Sequence, residues 1–203
     1  NGNDENDGLT QETPFRTLHR IRGRGLGAGD RILLERGSVF ENQYLHIRGK
    51  GEIGDPIEIA SYGEGERPYI CANGTGIWCQ NYGIELDSPA HVYQGNVSSA
   101  ILLYDAEYIW IHDLEISNKD VVSEEYSKPD KMDRTGVAVV AQNRGTLHEI
   151  ILQNLMVHDV NGNVYNKHMN NGGIYMTALK PENEEQTGVA RYDGVTVEDC
   201  CVW

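Results

Sequence analysis

Ile109-Trp110-Ile111-His112-Asp113-Leu114-Glu115-Ile116 aligns without a gap on Ile150-Ile151-Leu152-Gln153-Asn154-Leu155-Met156-Val157, and again on Val195-Thr196-Val197-Glu198-Asp199-Cys200-Cys201-Val202. In all three the first, third, sixth and eighth positions are apolar or Cys, and the fifth is Asp or Asn. Alternation of period two marks a half-buried strand. At the fifth position the phase slips from odd to even, so each stretch reads as a strand, a bend and a second strand. A unit of this kind that recurs along the chain is the signature of stacked solenoid coils.

Each stretch follows another strand candidate. These are Ala100–Tyr104, Gly136–Val140 and Gly173–Thr177, in which Ile101, Val137 and Ile174 share one column and Leu103, Val139 and Met176 the next. The columns recur after 36 and 37 residues, whereas the 109, 150 and 195 series recurs after 41 and 45. Unequal spacing means that loops vary while strands keep register. Upstream, Arg31–Leu34, Tyr44–Ile47, Pro56–Ala60 and Pro68–Cys71 supply strands for the first coils. Thr13-Pro14 suits the start of a helix through Phe15, Leu18 and Ile21, which predicts a short cap over the exposed first coil. The expected architecture is all-β, a right-handed single-stranded parallel β-helix of about four to five coils. It forms one domain, with a cap region over 1–30 and coils over 31–203. The strand at Cys200-Cys201-Val202-Trp203 has no polar cap, so the expectation is that further coils or another chain cover that end.

The 203 residues carry 17 Lys plus Arg against 31 Asp plus Glu, a net charge of -14. That balance disfavours a nucleic-acid backbone or an anionic membrane as partner. No run reaches the roughly 18 apolar residues of a membrane span, and the first residues carry no targeting signal. Cys71 and Cys79 stand close enough in sequence to bridge, and free Cys is commonly a small core residue. The sequence leaves both open.

Four blocks carry a family resemblance: Asn3-Asp4-Glu5-Asn6-Asp7-Gly8-Leu9, Thr13-Pro14-Phe15-Arg16-Thr17-Leu18, Gly29–Gly37 and Gly54-Asp55-Pro56-Ile57-Glu58-Ile59. In order and spacing they resemble the opening of the secreted bacterial right-handed parallel β-helix proteins of glycan degradation, the pectate-lyase-like carbohydrate-active enzymes. Asn171–Tyr175 and Asp193–Asp199 continue the pattern. The resemblance implies an oligo- or polysaccharide substrate and a secreted or cell-surface location. It does not choose between hydrolase and lyase.

The candidate chemistry lies in two insertions, Ser117 to Thr135 and His158 to Gly172, which leave and rejoin the repeat at equivalent points. Stacked side by side they would wall a groove. A glycoside hydrolase needs two carboxylates roughly 5 to 9.5 Å apart, and coils about 4.8 Å apart supply such spacings. Asp159 with Asp133 or Asp120 is a candidate pair, and Asp105, at a strand end, is a further catalytic candidate. Lys167 or His168 would be the base of a lyase, with calcium held by an acidic loop cluster. His158, Tyr165, Asn170, Asn171 and Tyr175 are the candidate sugar-binding residues. No dedicated metal-ligand set is read from the sequence, and Asp4, Asn6 and Asp7 suit a turn better than a calcium loop. Asp113, Asn154 and Asp199 read as a stacked structural ladder, and His112 as an outward side chain. Hydrolysis of a neutral glycan comes first, a calcium-assisted lyase second, and a non-catalytic glycan-binding or adhesin fragment third.

Overall fold

In the computed structural model, which describes residues 2–81, 94–119, 132–162 and 171–203, each of the three aligned stretches is a strand, a corner and a second strand. The first coil is β1 (Arg31–Glu35), β2 (Val39–Glu41) and β3 (Leu45–Ile47). The second is β4 (Ile57–Tyr62), β5 (Tyr69–Cys71), β6 (Ile77–Asn81) and β7 (Gln94–Tyr104). Then come β8 (Ile109–His112), β9 (Glu115–Asn118) and β10 (Asp133–Ala141), followed by β11 (Thr146–Gln153), β12 (Met156–Val160) and β13 (Gly172–Ala178). A fifth coil opens with β14 (Arg191–Glu198) and β15 (Cys201–Val202).

The chain visits three sheets in the same rotation. Sheet A runs β1-β4-β8-β11-β14, sheet B runs β2-β5-β9-β12-β15, and sheet C runs β3-β7-β10-β13. All pairings on these paths are parallel, in the expected register: Ile109, Ile150 and Val195 are neighbours, as are Ile101, Val137 and Ile174. The exception is β6, an unanticipated strand that lies antiparallel on β7 at the side of sheet C.

The corner from sheet A to sheet B turns on a single residue in the left-handed region. Asp113, Asn154 and Asp199 have φ of 60°, 50° and 54°. A short polar side chain tolerates this conformation best among non-glycines. The expected ladder is present between Asp113 and Asn154: Asn154 Nδ2 donates to Asp113 Oδ1 at 2.5 Å, and Arg67 Nη2 to Asn154 Oδ1 at 2.5 Å. A second column went unread. Tyr108, Glu149 and Gly194, each just before the aligned strands, have φ of 53°, 43° and 84°. His112 does face outward, but it is not solvated. It stacks on Trp110 with centroids 4.1 Å apart and bonds Asp113 and Glu58. Burial raises the Glu58 carboxyl, yet hydrogen bonds from Arg31 and His112 hold it below its ordinary range.

Between the sheets lies one apolar core. Ile111 and Leu152 form one inward column, and Ile116 and Val157 another, all fully buried. Val197 and Val202 continue these columns but are 46% and 51% exposed, which corrects the expectation that they are buried. No described coil stacks beyond β14 and β15. Gly136 and Gly173 must be small: a Cβ on Gly136 would overlap Val157 Cγ1 and lie 2.6 Å from Gly173 O.

The predicted N-terminal helix is corrected to a 3-10 turn of four residues, Leu18–Ile21. Asp4 Oδ1 accepts the amides of Arg16 and Thr17, and its Oδ2 the Thr17 hydroxyl, so the backbone before Leu18 is held extended. Leu18 still reaches the core at 2% exposure. Residues of this segment and of the first coil line a cavity of about 800 Å3. Asp7 accepts Leu9 N and Thr13 Oγ1, and Asn6 donates to Pro14 O, so the Asp4–Asp7 side chains brace a turn. All four thiols are free. No described helix is long and apolar enough to cross a membrane.

Candidate active site

Both insertions connect sheet B to sheet C, and the strands extend further into them than the repeats suggest. Ser117 and Asn118 end β9, Asp133 opens β10, and Asp159 lies within β12. Asn118 ties this corner together. It is fully buried, accepts Gly74 N at 2.8 Å, and donates to Ser98 O and Thr135 O, both at 3.0 Å.

Asp133 is 6% exposed, far from the solvated loop charge that its insertion suggests. Asn171 Nδ2 donates to Asp133 Oδ1 at 3.1 Å, while Asn171 Oδ1 accepts Arg134 N at 2.8 Å. Arg134 Nη1 donates to Asn161 O at 3.3 Å. Gly162 closes the group, because a Cβ there would overlap Asn171 Oδ1 and lie 2.6 Å from Arg134 N. The structure therefore joins two expected residues, Asp133 and Asn171, that come from different insertions.

Asp159 sits three residues before Gly162, at a bulge where the β9–β12 register shifts, with φ of 50°. A bulge re-aims a side chain, and this one leaves the carboxylate 61% exposed. His158 Nδ1 lies 3.0 Å from Asp159 Oδ2, and its Nε2 3.0 Å from Glu115 Oε1. The imidazole is stacked between Tyr69 and Trp203 at 5.7 and 5.0 Å. His158 is thus fixed on the outer face of sheet B, bracketed by two carboxylates and two rings.

Asp105 stands apart. Asp133 is in register with Val97 of β7, and Asp105 lies eight residues further along the chain, just past the end of that strand. At 3.3 Å per residue this is about 26 Å, far beyond any glycosidase carboxylate spacing. Its oxygens accept the amides of Gln142 and Asn143, bracing the next coil. Asp120, Tyr165, Lys167, His168 and Asn170 fall outside the described residues. Among the described residues no group of three or more His, Cys, Asp or Glu is disposed to hold a metal ion.

The outer face of sheet C contributes what sequence reading largely missed. Leu102, Ala138 and Val140 form a second apolar cluster there, flanked by Trp78, Tyr104, Tyr175 and Leu179. Tyr175, in register with Ala138, is the one expected member. Trp78 is in register with Val97, and Val97 with Asp133, so Trp78 and Asp133 occupy one row on three adjacent strands. Two strand spacings put their backbones about 10 Å apart. Trp78 Nε1 donates to Ser99 Oγ, whose other neighbour is Thr135 Oγ1 at 2.6 Å. Beside Trp78, Leu102 and Tyr104 opens a cleft of about 620 Å3. Aromatic rings of this kind offer flat apolar faces with polar edges, which suits the ring of a sugar. The signal available in the sequence was Trp78 itself, a large aromatic in a segment outside the aligned repeats.

No family model matches the chain. Two crystal structures of the GH136 lacto-N-biosidase from Eubacterium ramulus, one native and one a selenomethionine derivative, are each 60% identical to it with a TM-score of 0.92. The match covers 98% of this chain and 32% of theirs. Lacto-N-biosidase from Bifidobacterium longum subsp. longum is 38% identical over 234 residues, covering 99% of this chain and 14% of that protein. The chain spans about a third of the solved relative and about a seventh of the curated one. What it shares with the former is the fold of nearly its whole length.

Proposed function

We propose that this chain is part of a glycoside hydrolase of the lacto-N-biosidase kind, acting on an oligosaccharide that contains lacto-N-biose. The observation that carries the reading is the 60% identity and TM-score of 0.92 to the Eubacterium ramulus enzyme. In this reading the sugar lies along the outer face of sheet C, with Trp78, Tyr104 and Tyr175 against its apolar faces. Asp133 and Asp159 are the carboxylate pair, one protonating the leaving oxygen while the other faces the anomeric carbon or its attacking water. Asn171 fixes the orientation of Asp133, and His158 that of Asp159. The coils turn right-handed around a closed core, the sense that parallel crossovers take, and the protein works outside the cell or at its surface, where such glycans are met.

The test is a digest of a glycan panel with products separated by mass. Water addition with release of a disaccharide supports the reading, and an unsaturated product replaces it with a lyase. The Asp133→Asn and Asp159→Asn variants then ask whether these two carboxylates carry the step.

A further inference from the structure

The cleft beside Trp78 is cationic in an anionic protein. Its wall includes Arg22, Arg24, His46, Arg48, Trp78 and Tyr104, and no carboxylate among the described residues lines it. Outside the cleft Arg31 pairs with Glu58, Lys50 with Glu107 and Arg36 with Asp113. Arg22 and Arg48 have no ion pair with any described carboxylate, although the chain has a net charge of -14. Each is instead laid on an aromatic ring. The Arg48 guanidinium sits 4.4 Å over Tyr104, and that of Arg22 4.4 Å over Tyr44. Stacking holds a guanidinium flat; Arg22 Nη1 also meets His19 Nδ1 at 3.0 Å, and the N–H groups that remain on Arg22 and Arg48 can grip an oxyanion. His46 adds no charge near neutral pH, since burial keeps its ring unprotonated and its Nε2 meets Ser99 O at 3.1 Å.

Resting on the hydrolase reading above, we propose that this cleft is an acidic-sugar subsite: Arg22 and Arg48 hold a carboxylate or sulfate on the glycan while Trp78 and Leu102 meet its ring. The volume of about 620 Å3 lies within the range of small-molecule pockets. The two arginines lie on different segments, the loop after Ile21 and the residue just past β3, so the fold brings them together.

Binding, and not turnover, is the direct test. Calorimetry would compare one neutral tetrasaccharide with the same glycan bearing a single sialic acid and with one bearing a single sulfate. The acidic forms should bind about ten- to a hundredfold more tightly at low salt, the range of one or two charge-assisted contacts, with the preference shrinking as salt rises. A better response to sialic acid assigns a carboxylate, and a better response to sulfate assigns a sulfate. The double variant Arg22→Gln/Arg48→Gln should keep its melting temperature and lose the preference. Equal affinity for neutral and acidic glycans, or a preference that survives in the double variant, overturns the subsite. Cleavage of the neutral glycan with no acidic preference overturns the subsite alone. Acidic preference without cleavage overturns the hydrolase reading alone, and no binding of any of the three overturns both.

Discussion

Leu152→Ala, set against Val197→Ala, tests whether stacking holds this fold together. The two residues occupy one inward column, yet Leu152 is fully buried and Val197 is 46% exposed. Truncating Leu152 removes about three methylene equivalents, worth about 2.4 kcal/mol at about 0.8 each. Ile111 stands on the other side of the gap, on a backbone paired to both neighbours, so the cavity cannot close fully and the total should reach about 3 to 5 kcal/mol. Val197→Ala removes two methyl groups from a site roughly half open to solvent, which leaves about 0.9 kcal/mol and no enclosed void. For about 200 residues the larger loss corresponds to a drop of roughly 6 to 20 °C in melting temperature. Urea unfolding followed by both circular dichroism and tryptophan fluorescence gives the comparison, with coincident transitions and an unchanged m-value licensing the subtraction. If the two variants fall within about 1 kcal/mol of each other, the column is not what stabilises the coils, and the reasoning fails.

Asp159→Asn and Asp133→Asn should each lower turnover about 100-fold or more with little change in melting temperature, whereas Glu64→Ala should do neither. Wild-type turnover in either variant, on a glycan that the parent cleaves, removes that residue from catalysis. Burial, with a smaller contribution from the Arg22 charge, lowers the His46 pKa from 6.5 to about 4. Between those values the unfolded chain binds a proton that the folded one refuses, so stability falls as pH drops from 6.5 towards 4. A histidine resonance from His46 that titrates near 6.5 would contradict this. Gly136→Ala should cost about 1 to 3 kcal/mol through its collision with Val157 and the Gly173 carbonyl; a melting temperature equal to the parent's would show that the small column can relax.

What was legible in the sequence is what repeats. The columns Ile101–Val137–Ile174 and Ile111–Leu152 declared themselves because a buried strand face tolerates few residue types, and the Asp113–Asn154–Asp199 corner because few side chains accept its backbone. Singular features were not legible. The helix expected at Thr13-Pro14 lost to Asp4, a tertiary partner 13 residues from Thr17 whose carboxylate outcompetes a weak local propensity. Strand β6 pairs antiparallel and once only, so no second copy existed to align it with. Val197 and Val202 carry the apolar signal of their columns, but burial also depends on what stacks above them. For the site, sequence placed Asp133 and Asn171 in two insertions that stack side by side, but did not pair these two residues. Their contact depends on the β10–β13 register, which sets Thr135 beside Gly172.

Two kinds of corner explain why the proposed site falls where it does. From sheet A to sheet B the later coils turn in two residues, with a left-handed residue bonded to its neighbour in the next coil, and an insertion there would break both the conformation and the ladder. From sheet B to sheet C the strands are held by polar side chains instead, Asn118 buried and Asn171 partly so. Asn118 and Asn171 bond across coils through side-chain atoms, which fix the strand ends whatever length of chain runs between them. Corners of the second kind accept variable segments while the coils stay in register, so residues can change there. Trp78 and Asp133 end up in one row because both lie on the sheet C side of that corner, one on the strand that pairs with β7 from outside the repeat and the other on the strand that pairs with it from within.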